Sequence, residues 1–304
     1  MTGLLLSGCQ TAAVDEVTPT PAESMTPVPS VEPEVTSLTF TDSMGRITEF
    51  DQIPETVISL SPTLTEIVYA LDMGSKLIGR TDWCDYPDQV FEVPSVGNMD
   101  IPNFEVIVSL NPDVVAVSLI TNEETVKKLE EAGIKCVVID EETTFEGAYG
   151  NITLMGTLLG ADDKAASIVS DMKQKVADIT AKLTGVTPKT VYYIMGYGEY
   201  GDFTAGAGTF ISELIKMAGG INVADDTTDW SYSVEKLVSH DPDVLICSLW
   251  APASGLKTTA GYMDLSAVKK NAVYTIDDNL IQRIGPRITD GLYAVAKALH
   301  PTLF

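Results

Sequence analysis

Two stretches on either side of one long helical pattern read as copies of each other, and this repeat limits the fold more than any other feature. Asn103–Ser118 is NFEVIVSLNPDVVAVS and Ser233–Ser248 is SVEKLVSHDPDVLICS. In ungapped register they share Glu105/Glu235, Val108/Val238, Ser109/Ser239, Pro112/Pro242, Asp113/Asp243, Val114/Val244 and Ser118/Ser248. Each reads as a short helix, a Pro-Asp turn and a buried strand. Proline cannot extend a helix, and the β-branched run after it suits a parallel strand covered on both faces. Between the copies, Asp162 to Lys182 carries apolar residues at Ala165, Ile168, Val169, Met172, Val176 and Ile179, continued by Leu183. That spacing is helical over several turns. Asp162 or Asp163 is placed to cap this helix, and Gly185 followed by Pro188 ends it. At ~1.5 Å per residue it spans roughly 30 Å. The expected architecture is α/β: two lobes, each with a central, mostly parallel β-sheet flanked by helices, joined by one long bridging α-helix. The functional surface then lies in the cleft between the lobes.

The expected division is 1–9, 10–36, 37–160, 161–185 and 186–304. Leu6-Ser7-Gly8-Cys9 follows a short apolar run and resembles the lipobox of bacterial lipoproteins, in which the cysteine carries lipid. Such a signal begins with a basic stretch and a longer apolar run, which Met1-Thr2-Gly3 lacks, so the true start is expected further upstream. Residues 10–36 are rich in Pro, Thr, Ser, Val and Glu, with no Lys or Arg. A segment of that kind buries too little to fold and reads as a tether. From Ser37 on, a hairpin around Ser43-Met44-Gly45 is followed by alternating strand and helix patterns up to a last helix ending near Leu299. Gly196 to Gly201 formally matches GxGxxG, but no helix opens there to receive a phosphate, so a dinucleotide site is rejected.

The formal charge of −24 argues against nucleic acid, since nothing would neutralise phosphates. Cys136 and Cys247 fall in apolar strands and read as core thiols. With two histidines, His240 and His300, neither a catalytic Ser-His-Asp set nor a metal-ligand cluster is suggested, and no cofactor is called for. Binding, rather than catalysis, is the expected activity.

Several motifs then act together: Ile58-Ser59-Leu60-Ser61-Pro62 with Thr65-Glu66, Asp85-Tyr86-Pro87, Asn111-Pro112-Asp113-Val114, Gly208-Thr209-Phe210 with Glu213-Leu214, Gly219-Gly220-Ile221-Asn222 and Gly285-Pro286-Arg287. In order and spacing the chain resembles, roughly from Thr36 to its end, the extracytoplasmic solute-binding proteins of ABC importers that carry cobalamin and ferric siderophores, the BtuF/FhuD-like family. The resemblance implies a monomer, lipid-anchored outside the cell membrane through Cys9. It also implies that an acidic residue on the outer face of each lobe docks the permease. Glu66 and Glu213 are matched to that role; the alternatives are a capping box of Glu66 with Thr63, and for Glu213 a favourable charge near a helix N-terminus.

Loops at strand C-termini line clefts in open parallel sheets. The candidate ligand contacts are therefore Trp83, Asp85, Tyr86, Asn98, Met99, Tyr197, Tyr200, Trp230, Tyr232, Trp250 and Arg283. Flat rings cover a broad apolar ligand, unless they merely plug gaps at loop edges. A corrinoid, flat and rimmed with amides, fits three tryptophans and only four arginines. An anionic ferric chelate would want an arginine or lysine cluster, and haem a Tyr or His ligand.

Overall fold

The computed structural model describes residues 37–140, 144–199 and 201–304. Cys9, the segments 1–9 and 10–36, and Tyr200 lie outside the described residues. An antiparallel hairpin, β1 (Leu38–Thr41) and β2 (Ile47–Phe50), leads in. Asp42 shapes its turn: Oδ1 accepts from the Met44 and Arg46 backbone, and Oδ2 from Arg46 Nε at 2.8 Å and from Val138 N–H.

The β-branched runs form β3 (Val57–Ser59), β4 (Leu77–Arg80), β5 (Val114–Val117) and β6 (Cys136–Val138), which pair in the order β4-β3-β5-β6. The second half forms β7 (Lys189–Ile194), β8 (Gly220–Asn222), β9 (Val244–Cys247) and β10 (Val273–Thr275), ordered β8-β7-β9-β10. Every pairing in both sheets is parallel. Counted within its own half, each sheet runs 2-1-3-4, so the short sequence repeat marks two lobes of one topology. The flanking helices are α1 (Pro62–Ala70), α2 (Phe104–Leu110), α3 (Glu123–Glu131) and α4 (Phe145–Leu159) in the first lobe. In the second they are α6 (Phe210–Met217), α7 (Val234–His240), α8 (Ser266–Lys269), α9 (Asp278–Gln282) and α10 (Ile288–Leu299).

Between them runs α5 (Asp162–Lys182). Its buried residues Ala165, Met172 and Ile179 recur every two turns, and it packs on α4 of one lobe and α10 of the other. A Cβ on Gly156 would come within 2.5 Å of Ala165, which is why a glycine sits where α4 meets α5. The capping expectation was off by a residue. Ala161 is the N-cap, without a side-chain bond, and Asp162 and Asp163 lie in the first turn, favouring the helix dipole from inside.

The Pro-Asp unit has a mechanical meaning. Asn103 and Ser233 cap α2 and α7, and both helices end on a left-handed residue, Asn111 and Asp241. The aspartate two positions beyond each end then grips the neighbouring strand. Asp113 Oδ2 accepts from Thr56 N (2.8 Å) and Thr56 Oγ1 (3.0 Å); Asp243 Oδ2 accepts from Thr190 N and Oγ1, both at 2.9 Å. The threonine hydroxyls accept in return from the Asp113 and Asp243 N–H groups. Each clamp pins strand three of its sheet against strand one. Asp113→Ala or Asp243→Ala should cost about 1–3 kcal/mol in urea unfolding, the usual loss for a carboxylate with several donors.

Burial works to raise the pKa of Asp42 and Asp113, but the backbone and side-chain hydrogen bonds outweigh it and hold both below the ordinary carboxylate value. Their contribution to stability is full above about pH 4 and is lost as pH falls through the lowered folded values.

Three short elements escaped the sequence reading: β8, α8 and α9. Three residues of strand and four or five of helix carry no readable period.

Candidate ligand-binding cleft

A sheet ordered 2-1-3-4 changes winding direction between strands one and three, and open α/β sheets bind ligands beyond the strand C-termini at that point. Here those points are the ends of β3 and β5 in one lobe and of β7 and β9 in the other. A cavity of about 490 Å³ lies between them, with Ser61 and Ser118 on one side and Met195 and Trp230 on the other. Helix entries close it. Ser61 precedes Pro62 at the first position of α1 and makes no side-chain cap, so the first-turn N–H groups of Thr63 and Leu64 lack intrahelical partners. Opposite, Gly208 turns with φ +77° into the Thr209 cap of α6, whose Oγ1 accepts from Ser212 N.

The remaining described walls are chiefly apolar: Leu64, Ile120, Ile139, Phe210, Ile211, Ile281 and Ile284, with Asn151, Asp140 and Gln282 as polar members. Among the described lining residues there is no Arg, Lys, His or Tyr. All four arginines are bonded elsewhere. Arg46 holds Asp42 and Glu130, Arg80 donates to Val90 and Thr81 carbonyls, and Arg283 and Arg287 meet on Glu66. His240 lies beside Asp226, and the His300 ring beside the Gly219 carbonyl. No group of three or more His, Cys, Asp or Glu side chains is arranged for a metal among the described residues. Cys136 and Cys247 are buried, with burial pushing both thiols up to about 12.

Of the expected ligand contacts, Trp230 is on the cavity wall. Trp83, Trp230 and Trp250 are 54%, 50% and 81% exposed, so none plugs a gap in a core. Trp83 Nε1 donates to Asn98 Oδ1, which also receives the Met99 N–H, tying two expected contacts into one loop. Tyr232 is a correction. It is buried, donates to the Val223 carbonyl and packs on Tyr192, as part of the second lobe's core. Tyr197 likewise packs on Tyr262 and donates to the Pro252 carbonyl.

Asp85, Tyr86 and Arg283 are drawn to a different place, the seam between lobes. Arg283 NH1 reaches Glu66 Oε1 at 2.9 Å and Asp85 Oδ1 at 2.6 Å. Arg287 grips Glu66 with Nε at 2.7 Å and NH2 at 2.6 Å and lies 3.8 Å over the Tyr86 ring. Burial opposes the charge on both arginines, but Asp85 and Glu66 for Arg283, and Glu66 foremost for Arg287, outweigh it and raise their pKa values.

This overturns the outer-face position expected of Glu66. Its side chain is 2% exposed, in mid-helix, and Ser61 rather than Thr63 holds the N-cap position of α1. A carboxylate so far from water persists only with counter-ions, and the two guanidiniums supply them. Glu213 is half-buried and accepts from the Phe145 N–H at the start of α4. Desolvation raises its pKa, opposed by that bond and by Lys216. Both residues therefore bridge the lobes. The exposed acidic pair lies instead in the repeat: Glu105 and Glu235, each in the first turn of its helix, α2 and α7. The signal that would have found them was their identity in the ungapped repeat.

A family model described as periplasmic binding protein matches residues 57–280. The ABC transporter substrate-binding lipoprotein YvrC of Bacillus subtilis is 29% identical over 311 residues, spanning 100% of this chain and 96% of the relative. The cobalamin-binding protein of Halobacterium salinarum is 30% identical over 275 residues, 86% of this chain and 73% of the relative. In crystal structures, the vitamin B12 binding protein of Vibrio cholerae matches with a TM-score of 0.70 at 25% identity, covering 82% of this chain and 98% of that one. The heme-binding protein RhuT of Roseiflexus shares the fold with a TM-score of 0.75 at 24% identity, covering 82% and 99%. With the two duplicated sheets, the bridging helix and a family match over most of its length, this chain belongs to the periplasmic binding protein family, as a substrate-binding protein of the ABC-importer type and not an enzyme.

Proposed function

We propose that this protein captures a corrinoid in the interlobe cleft and delivers it to the permease of an ABC importer. The observation that carries the reading is a cavity at both switch points with apolar walls, a tryptophan, and no cationic side chain among its described lining. A neutral macrocycle rimmed with amides suits such walls, and the open N–H groups of α1 suit its amide carbonyls. An anionic ferric chelate would face no arginine, since all four are bonded elsewhere. Names of relatives support the choice: the Halobacterium and Vibrio proteins carry cobalamin and vitamin B12 in theirs. Trp83 and Trp250, exposed on the loops after β4 and β9, are the other tryptophan surfaces on offer to a ligand. Haem is the second reading, favoured by Met195 on the cavity wall, since a thioether is a haem-iron ligand. Titration of the full chain with cyanocobalamin, cobinamide and haem, followed by tryptophan quenching and calorimetry, separates them. Saturable one-to-one corrinoid binding upholds the proposal, and haem binding alone replaces it.

Docking runs through Glu105 and Glu235, one exposed carboxylate per lobe at equivalent positions, facing basic residues on a permease. Exposed ion pairs contribute only about 0–1 kcal/mol each, which orients a carrier without trapping it. Charge reversal at both, Glu105→Lys with Glu235→Lys, should cut uptake into proteoliposomes at least about tenfold while ligand affinity stays unchanged, because like charges across an interface cost several kcal/mol. Uptake at the normal rate would remove the pair from docking. The body is held outside the cell membrane by lipid on Cys9, a reading supported by the lipoprotein name of the Bacillus relative.

A further inference from the structure

A buried polar network stands behind the cleft wall. Asp278, at the start of α9, is 6% exposed. Its Oδ1 accepts from the Tyr193 hydroxyl at 2.6 Å and from Gln282 Nε2 at 3.2 Å. Its Oδ2 accepts from Ser248 Oγ at 2.8 Å and from the Leu249 N–H at 2.9 Å. Gln282 Nε2 also donates to the Tyr193 oxygen at 3.1 Å.

Chemistry dictates which way the Gln282 amide lies. A carboxylate has no proton to give. Tyr193 stays a phenol, since burial and then Asp278 push its pKa up, and its proton goes to Asp278, so its oxygen accepts. Both neighbours therefore demand the NH₂ side of the amide and fix which way it lies. The carbonyl Oε1 has no partner among the described residues, and Gln282 is an exposed residue on the cavity wall.

We infer that Gln282 is a specificity-determining residue of the cleft, its amide held by Tyr193 and Asp278 so that its carbonyl oxygen is presented to the ligand. It selects a ligand that offers an N–H donor there, as the peripheral amides of a corrinoid do. It disfavours one whose rim only accepts, because the Gln282 oxygen then loses water and gains no partner. The inference rests on the corrinoid reading of the cleft and adds which part of the ligand is recognised. Asp278 and Tyr193 are positioning residues.

The test compares two neutral ligands with the same ring, dicyanocobinamide and the heptamethyl ester of dicyanocobyrinic acid, whose rim accepts hydrogen bonds but donates none. The full chain should bind the amide ligand at least about tenfold tighter. Gln282→Leu should erase most of that preference by weakening the amide ligand and leaving the ester unchanged. Tyr193→Phe, which leaves Asp278 as the amide's one anchor, should loosen it and lower the preference severalfold, and serves if the leucine variant does not fold. An equal affinity of the unaltered chain for both ligands, or a preference that survives in both variants, overturns the inference alone. Absence of any corrinoid binding by the unaltered chain overturns the reading of the cleft together with it.

Discussion

Replacing Glu66 by alanine is expected to destabilise the protein by about 3–5 kcal/mol, the largest effect of any single change outside the cores. The carboxylate is 2% exposed, and its partners Arg283 and Arg287 are 13% and 18% exposed. Removing it strands two positive charges at a seam with little water. Asp85 still serves Arg283, but Arg287 keeps no salt bridge, only the face of Tyr86 and the charge of Asp277. The loss should appear as a lower urea midpoint with an unchanged slope; urea is the right denaturant because guanidinium salt screens ion pairs. Adding Arg287→Ala to Glu66→Ala should cost less than the two single changes summed, since it removes the stranded cation. A loss under about 1 kcal/mol would mean that α4, α5 and α10 hold the lobes without this latch.

Trp230→Ala should weaken corrinoid binding at least about tenfold, about 1.4 kcal/mol, with no comparable loss of stability. Trp230 is on the cavity wall and half exposed, so truncation opens no core void. What it removes is a broad flat surface that a large ring would cover. Its carbonyl, which accepts from Thr204 N–H, survives the change and keeps the loop in place. Calorimetric titration of both forms reads the difference. Equal affinities would take Trp230 out of the site and move attention to the exposed Trp83 and Trp250.

Neighbouring residues in sequence determined a good deal here. The 3.6-residue spacing from Asp162 to Lys182 was enough to place α5, though not its N-cap. The Pro-Asp repeat was enough to pair α2–β5 with α7–β9 and so to imply two lobes, because periodicity and turn chemistry act over a few residues. The same repeat held the exposed acidic pair, although sequence reasoning assigned docking to Glu66. Aromatic residues in loops were legible as a class but not one by one. Tyr232 and Trp230 are near neighbours, yet one is buried in a core and the other lines the cleft.

What only the tertiary structure decided is the role of each charge and each amide. Glu66 became a latch because Arg283, 217 residues away in sequence, is carried to it across the seam. Gln282 became a directed acceptor because Tyr193, 89 residues away, and Asp278 claim its other side. A side chain's helical or strand preference is set by its neighbours along the chain. Its hydration and its hydrogen-bond partners are set by whatever folding packs against it, and those contacts leave no local pattern to read.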